Sequence, residues 1–206
     1  MDSVVLTGDI SPELARALRQ GGRVAVDTET TGLDFRMDTL ELCQLFNPLT
    51  GPVLVRRRES RPLHLIGLLE DPLITKVFHY APFDLRFIEA TWGVQTGPVF
   101  CTKAASKLLR PDAAPREHSL AAQLLLTLGI TVDKGAVRVS DWSAPTLTPE
   151  QVAYAAADVT ALLDLADSHA HHLRQAGLDG IHRAICAYMP VDAHLAVTGV
   201  PDPLAY

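Results

Sequence analysis

The sequence predicts an α/β fold in which helices flank a mixed sheet of five to six strands. Three apolar runs, at residues 24–26, 40–46 and 53–55, are joined by short links, a pattern that indicates an antiparallel meander. From residue 74 onward, strand patterns alternate with helical patterns, which indicates parallel crossover connections. A meander followed by crossovers makes the predicted sheet a mixed one.

The first third of the chain carries clear signals for its elements. Residues 4–6 are a short strand candidate, and Ser11 with Pro12 opens a helix, because serine caps helix N-termini and proline suits the first helical position. The third strand is followed by a run of arginines. A solvated loop is the commoner fate of such a run, and steering of a nucleic-acid backbone is a secondary interpretation. The run consists of Arg56, Arg57, Arg58 and Arg61.

The middle of the chain predicts alternating helices and strands. Residues 62–70 indicate a helix and residues 74–78 a strand. A second helix begins near Pro82, with an apolar face that includes Phe83 and Phe87. The further elements expected here are a strand at 99–100 and helices at 102–109 and 119–128.

The last third of the chain opens with a strong helix start. Thr148 is the expected N-cap, and Gln151 completes a capping box with it. This helix is expected to run to about Gln175, and Gly177 follows its end. Residues 181–189 predict one more helix, and residues 191–206 a weakly structured tail.

Composition limits the function classes. A chain of 206 residues suffices for one domain with a proper core, and a net charge of −6 argues against a broad phosphate-binding surface without excluding a nuclease. No apolar run reaches membrane-spanning length and the N-terminus lacks a signal-peptide pattern, so we expect a cytoplasmic protein with no membrane partner. Cys43, Cys101 and Cys186 are expected to be buried, reduced thiols.

Five residues on three segments form a candidate site. Asp27 and Glu29 are two apart on a predicted strand, which places both on one face; alone, they fit a solvated strand end as well as half of a metal site. Asp84 follows another strand, and Tyr154 and Asp158 share one helix face. Four carboxylates suit two hard cations, Mg²⁺ or Mn²⁺, which together can promote phosphodiester cleavage.

The spacing of these residues resembles the three motifs of the DEDDy 3′–5′ exonucleases. This group includes ribonuclease D and the proofreading domain of family A DNA polymerases, in the DnaQ-like, ribonuclease H-like superfamily. The motifs are Asp27-x-Glu29, His79-Tyr80-x-x-x-Asp84 and Tyr154-x-x-x-Asp158, and the resemblance covers roughly residues 22–165. Weaker supporting pieces lie at residues 101–106, 118–120, 133–134, 140–143 and 147–151.

The resemblance implies roles for the matching positions. Asp27, Glu29, Asp84 and Asp158 would hold two metal ions, and Tyr154 would orient the attacking water. Glu29 would also bind the terminal 3′ hydroxyl. The substrate-binding positions implied are Thr30, Leu33, His79, Tyr80 and Phe83.

Three of these positions need separate interpretation. Leu33 matches a residue that packs against the terminal base, while an ordinary core position is an equally good interpretation. Tyr80 stands where the family usually has asparagine, which puts substrate positioning in doubt more than metal binding; its ring could instead stack on a base. His79 fits a structural residue at a strand end better than a ligand.

The implied activity is hydrolysis of single-stranded DNA or RNA from the 3′ end, releasing nucleoside 5′-monophosphates. The alternative is a non-catalytic module that binds nucleic acid or serves an assembly related to polymerase proofreading domains. Residues 1–176 would form the exonuclease domain. Residues 177–206 would form a C-terminal helical extension that resembles the start of a family A polymerase domain.

Overall fold

The structure, a computed structural model, describes residues 3–132 and 140–204. Within these ranges six strands form one sheet, flanked by eight α-helices. The strands are β1 (Val4–Thr7), β2 (Arg23–Thr30), β3 (Leu40–Asn47), β4 (Gly51–Arg56), β5 (Thr75–Phe78) and β6 (Val99–Cys101). The helices are α1 (Pro12–Leu18), α2 (Leu63–Leu69), α3 (Ala81–Trp92), α4 (Thr102–Leu109), α5 (Leu120–Leu128), α6 (Pro149–Thr160), α7 (Leu162–Gln175) and α8 (Asp179–Thr198).

The sheet is mixed, as predicted. Its strand order is β1-β4-β3-β2-β5-β6. Strands β2, β3 and β4 form the antiparallel meander, while β5 and β6 continue parallel to β2, and β1 pairs parallel to β4. The carboxyl ends of β2, β5 and β6 therefore meet at one edge of the sheet.

Strand β2 separates two hydrophobic layers. Val24 and Val26 pack in one layer with α1, α2, α3 and α8, whereas Ala25 packs in the other with α5 and α7. Since side chains alternate along a strand, Asp27 and Glu29 point to the same side as Ala25, and Thr28 points to the opposite side. Helix α6 covers β3 and β4 on the side of the acids through Leu42, Leu54 and Ala155.

The helix expected from Thr148 to about Gln175 is two helices. Its capping box is present, but α6 ends at Thr160 and α7 begins at Leu162. Ala161 leaves helical geometry, with φ −99° and ψ 5°. The Thr160 hydroxyl donates to the Ala156 carbonyl at 2.7 Å, a bond that bends helices. The break allows α6 to lie on β3 and β4 while α7 covers β2 and β5.

The expected weak tail is also wrong over residues 191–198, because α8 continues to Thr198. It runs through Pro190 and ends at Gly199, whose positive φ of 73° suits glycine. Met189 and Ala193 are buried in the same layer as α3. The burial of this face offsets the loss of the proline hydrogen bond, which sequence patterns register only as a helix breaker.

Most of the arginine run serves the fold. The Arg56 guanidinium donates to the carbonyls of Ala144 and Pro145, and Arg61 donates to the Trp92 carbonyl at 2.7 Å. Arg57 lies 3.8 Å from the Glu41 carboxylate. These contacts favour neither earlier interpretation of the run, since the side chains tie loops and strand ends together.

Two expectations drawn from composition can be compared with the structure. Cys43, Cys101 and Cys186 are buried free thiols, as expected, and burial raises the pKa of Cys186 to about 12. In the described part of the chain, no helix combines the length and apolar character needed to cross a membrane.

Lys76 is a buried cation within β5. Its side chain is fully buried, and its Nζ donates to the carbonyls of Asp71 at 2.8 Å and Gly97 at 2.6 Å. This ties the loop before β5 to the segment before β6. Burial lowers the pKa of Lys76 from 10.5 to about 8.

We predict that the difference in stability between wild type and Lys76→Met depends on pH. Between pH 8 and 10.5 the unfolded chain keeps a proton on Lys76 that the folded chain releases, so raising the pH favours the folded wild type. Wild type should gain up to about 3 kcal/mol relative to the variant across this window. Urea denaturation at several pH values measures the difference, and a difference that stays constant contradicts the prediction.

Candidate active site

The strand β2 presents its two acids beside the buried Gln44. Asp27 is the cross-strand partner of Gln44 on β3, and the Gln44 amide donates to Glu29 Oε1 at 3.2 Å. The pairing register shifts between Glu29 and Thr30, so the regular ladder ends where the acids stand. The sequence shows Gln44 as a polar residue inside an apolar strand, a signal whose importance appears only once the strands are paired.

Asp158 approaches from the helix α6. The capping box fixes the start of this helix: the Gln151 backbone N–H donates to Thr148 Oγ1 at 3.2 Å, and Gln151 Oε1 accepts from the Thr148 N–H at 2.8 Å. The Gln151 amide also donates to Ser140 Oγ at 3.0 Å. Asp158 lies two turns beyond this anchored end and is buried.

The carboxylates of Asp27, Glu29 and Asp158 form a compact acidic group. Each offers one ligand atom, and these atoms lie within 4.8 Å of one another. Such close carboxylates repel unless a cation compensates them, and oxygen donors suit Mg²⁺ or Mn²⁺. The chemistry of the donor set therefore fits a divalent metal ion.

Asp84, the fourth predicted ligand, lies outside the acidic group. It is buried in the first turn of α3, and its Oδ1 accepts from the Thr28 hydroxyl at 2.7 Å. Thr28 lies between the two acids of β2 but points to the opposite side of the sheet. Burial raises the pKa of Asp84 well above its usual range, and the hydrogen bond from Thr28 opposes this effect.

Tyr154 adjoins the acidic group with a protonated hydroxyl. Its ring is buried, with its centroid 6.0 Å from the Trp142 centroid, and its hydroxyl is hydrogen-bonded to Asp158. Burial, followed by the nearby charges of Asp158, Glu29 and Asp27, raises the pKa of Tyr154 far above neutrality. At neutral pH this hydroxyl is protonated and donates to Asp158, and its oxygen can accept a hydrogen bond from a water molecule.

The two aromatic residues of the second motif, His79 and Tyr80, have different contacts and exposure. Both ring nitrogens of His79 are engaged, Nδ1 with Thr102 Oγ1 at 2.9 Å and Nε2 with the His118 carbonyl at 3.0 Å, as a structural residue requires. Tyr80 is half-exposed and has a positive φ of 80°, which is unusual for a bulky residue. The Lys103 ammonium lies 4.2 Å from its ring centroid. Lys103 belongs to the supporting piece at residues 101–106, but no role was assigned to it, because the sequence does not show that it lies beside Tyr80.

The remaining substrate-binding candidates are Thr30 at the end of β2, Leu33 in the loop after it, and Phe83 on α3. Leu33 is 85% exposed, which rules out the core interpretation. Its loop is closed by the Thr31 N–H bonded to the Thr39 carbonyl at 2.9 Å, and Thr30 Oγ1 donates to the Gly32 carbonyl at 2.6 Å. Phe83 is partly buried in the core layer of α3. The supporting piece at residues 133–134 lies outside the described residues.

Comparison with known proteins places this geometry in a family. A family model described as 3′–5′ exonuclease matches residues 3–173. Ribonuclease D of Escherichia coli (strain K12) is 31% identical over 166 residues, which cover 79% of this chain and 42% of that protein. Its crystal structure matches with a TM-score of 0.84 at 27% identity, over 94% of this chain and 51% of that one. The chain spans less than half the length of the curated relatives it matches.

Two proteins with solved structures match this chain over its full length. One is a nuclease in its apo form, with 37% identity and a TM-score of 0.91, covering 100% of this chain and 99% of that chain. The other is Brucella melitensis NrnC with bound Mg²⁺, with 30% identity and a TM-score of 0.89, covering all of both chains. NrnC has also been solved bound to pGG; that structure is 31% identical with a TM-score of 0.89, and the match covers 100% of this chain and 99% of that one. The family indicated by the three motifs is confirmed: the chain belongs to the 3′–5′ exonuclease family of hydrolases.

Proposed function

We propose that the protein is a 3′–5′ exonuclease that uses two divalent metal ions and releases nucleoside 5′-monophosphates from single-stranded RNA. The observation that carries this proposal is the acidic group of Asp27, Glu29 and Asp158, whose ligand atoms lie within 4.8 Å of one another. Asp84 supplies the fourth carboxylate, at the same edge of the sheet. This donor set supports Mg²⁺ or Mn²⁺ as the cofactor.

The protein's own residues orient the reacting groups. Two bound metal ions would supply an activated water and stabilise the leaving oxygen of the phosphodiester. The Tyr154 hydroxyl donates its one proton to Asp158, so its oxygen would orient the water by accepting a hydrogen bond from it. The Gln44 amide holds the Glu29 carboxylate, the group that the family resemblance assigns to the terminal 3′ hydroxyl.

The exposed side chains of Leu33 and Tyr80 favour a substrate with an unpaired 3′ end. Leu33 projects an apolar side chain into solvent beside the acidic group's strand, and an unstacked base offers it a partner. Tyr80 exposes part of its ring, and Lys103 lies against that ring with its positive charge. An aromatic ring and an apolar side chain, together with a cation, suit a base and a phosphate of single-stranded nucleic acid.

The relatives support RNA and short substrates. The E. coli relative is named an exoribonuclease involved in structured RNA processing, and NrnC has been solved with pGG bound. The sequence did not distinguish DNA from RNA as the substrate, since discrimination depends on contacts to the 2′ hydroxyl. On this basis we propose RNA and the dinucleotide pGG as substrates of this protein.

We predict that purified protein with Mn²⁺ or Mg²⁺ shortens a 5′-labelled RNA oligonucleotide from its 3′ end. Asp27→Asn should lower kcat by at least about 100-fold, because losing even an outer-shell partner of a metal site typically costs 10- to 100-fold. Asp112→Asn, which changes an exposed acid in a turn, is the matched control and should keep wild-type activity. Gel analysis of the products measures both. A gel shift without degradation would instead indicate the non-catalytic module.

We predict that RNA and pGG are cleaved faster than DNA of matching sequence. A single-turnover comparison of pGG, its deoxy counterpart and longer oligonucleotides of each kind measures the preference. Equal rates for RNA and DNA would refute the proposed RNA preference while leaving the exonuclease proposal intact.

We predict that Leu33→Ala raises KM about tenfold with little change in kcat, because the contact of a leucine side chain with a base is worth about 1.5 kcal/mol. Since Leu33 is exposed, the melting temperature should not change. Leu73→Ala, at a leucine that is 83% exposed, is the control and should leave KM unchanged. Unchanged kinetics in Leu33→Ala would remove Leu33 from the substrate site.

A further inference from the structure

The helix α8 lies beyond residues 3–173, which the exonuclease family model matches, yet it packs against active-site elements. Cys186, Met189 and Ala193 bury one of its faces in the core layer that contains α3. Its polar side chains and backbone then reach α3, the end of β6 and the loop that carries Leu33. These contacts indicate a role beyond covering the core.

The first contact is with α3, the helix that carries Asp84. His194 Nδ1 lies 2.5 Å from Glu89 Oε1, and Glu89 is buried. Arg86 Nη2 lies 2.9 Å from Asp192 Oδ2. At about 100° per residue, Arg86 and Glu89 lie roughly 200° and 140° around the helix from Asp84. Helix α8 therefore holds the side of α3 that faces away from Asp84.

The second contact is with the end of β6. His182 Nε2 donates to the Cys101 carbonyl at 3.0 Å, and the Cys101 N–H donates to Cys186 Sγ at 3.4 Å. The next residue is Thr102, whose hydroxyl engages His79 of the second motif at 2.9 Å. Helix α8 thus anchors the end of β6, and the residue after that end is hydrogen-bonded to His79 of the second motif.

The third contact is with the loop that carries Leu33. Arg36 Nη2 donates to the Ala196 carbonyl at 3.4 Å, near the end of α8. Arg36 also lies over the Phe35 ring at 4.5 Å. Helix α8 therefore contacts the helix that carries Asp84, the end of β6 beside the second motif, and the loop that carries Leu33.

We propose that α8 positions the metal site, and that His194 and Asp192 are positioning residues that set where α3 holds Asp84. Asp84 lies outside the group of three acids, so its contribution to a metal ion depends on the placement of its helix. Metal sites require ligands held within about 0.5 Å of their working geometry. The proposal rests on the proposed function in that it concerns the same metal ions, and it is tested by metal binding as well as by activity.

The test compares His194→Ala with wild type in the full-length protein. Isothermal titration with Mn²⁺ alone should show about tenfold weaker binding in the variant, the effect typical of losing an outer-shell partner. With RNA substrate, kcat should fall while KM stays near the wild-type value. His194→Asn should restore Mn²⁺ affinity, because its amide can donate to Glu89 as the imidazole does.

Two further variants separate positioning from general stability. Arg183→Ala breaks the exposed ion pair with Asp179, which lies within α8 and involves no residue of α3. This variant should therefore leave Mn²⁺ affinity unchanged. The Glu89→Ala/His194→Ala double variant should lose no more affinity than Glu89→Ala alone, since both changes remove one contact. If His194→Ala fails to fold, Asp192→Asn tests the neighbouring pair by the same titration.

The outcomes are distinct. Wild-type Mn²⁺ affinity in folded His194→Ala and Asp192→Asn would overturn the proposal, as would a loss that His194→Asn does not restore. Weakened Mn²⁺ binding in a protein whose wild type degrades no RNA would support the positioning role and refute the proposed function.

Discussion

Asp27, Glu29 and Asp158 repel one another, and the fold has to hold their carboxylates together against that repulsion. Strand β2 can do so because β3 pairs with it along both acids, and β5 pairs with it up to Ala25, two residues before Asp27. Helix α6 can do so because its first turn is capped before the helix reaches the acids. Burial then strengthens the repulsion, which makes the group a strong attractor for a divalent cation.

Strand β2 carries two residues of the acidic group on one side of the sheet and contacts Asp84 on the other side. Alternation along β2 sends Asp27 and Glu29 toward α6, and it sends Thr28 toward the layer of α3, where its hydroxyl meets Asp84. A shift of one residue in the register of β2 would exchange these faces and separate the acids from Asp158. The pairing of β2 with β3 and β5 is therefore as important to the chemistry as the carboxylates are.

Local patterns in the sequence were sufficient to predict the features that depend on short-range periodicity. The spacing of Asp27 and Glu29, the Tyr154 and Asp158 face and the capping box at Thr148 each depend on residues within one turn or one strand. The break at Ala161 and the continuation of α8 past Pro190 depend on packing between distant segments, which sequence periods do not record. For the same reason the sequence indicated Asp84 as a ligand but not its separation from the acidic group.

The arginines at the end of β4 and just after it affect how substrate binding would depend on ionic strength. Arg56 and Arg61 direct their guanidinium groups at backbone carbonyls, so these cations are engaged within a protein whose net charge is −6. Each phosphate neutralised by a protein releases counterions, and affinity falls with salt in proportion to the number of such contacts. Arginines engaged in this way add few phosphate contacts, so for the RNA substrate proposed above we expect an affinity that declines only gently as salt is added.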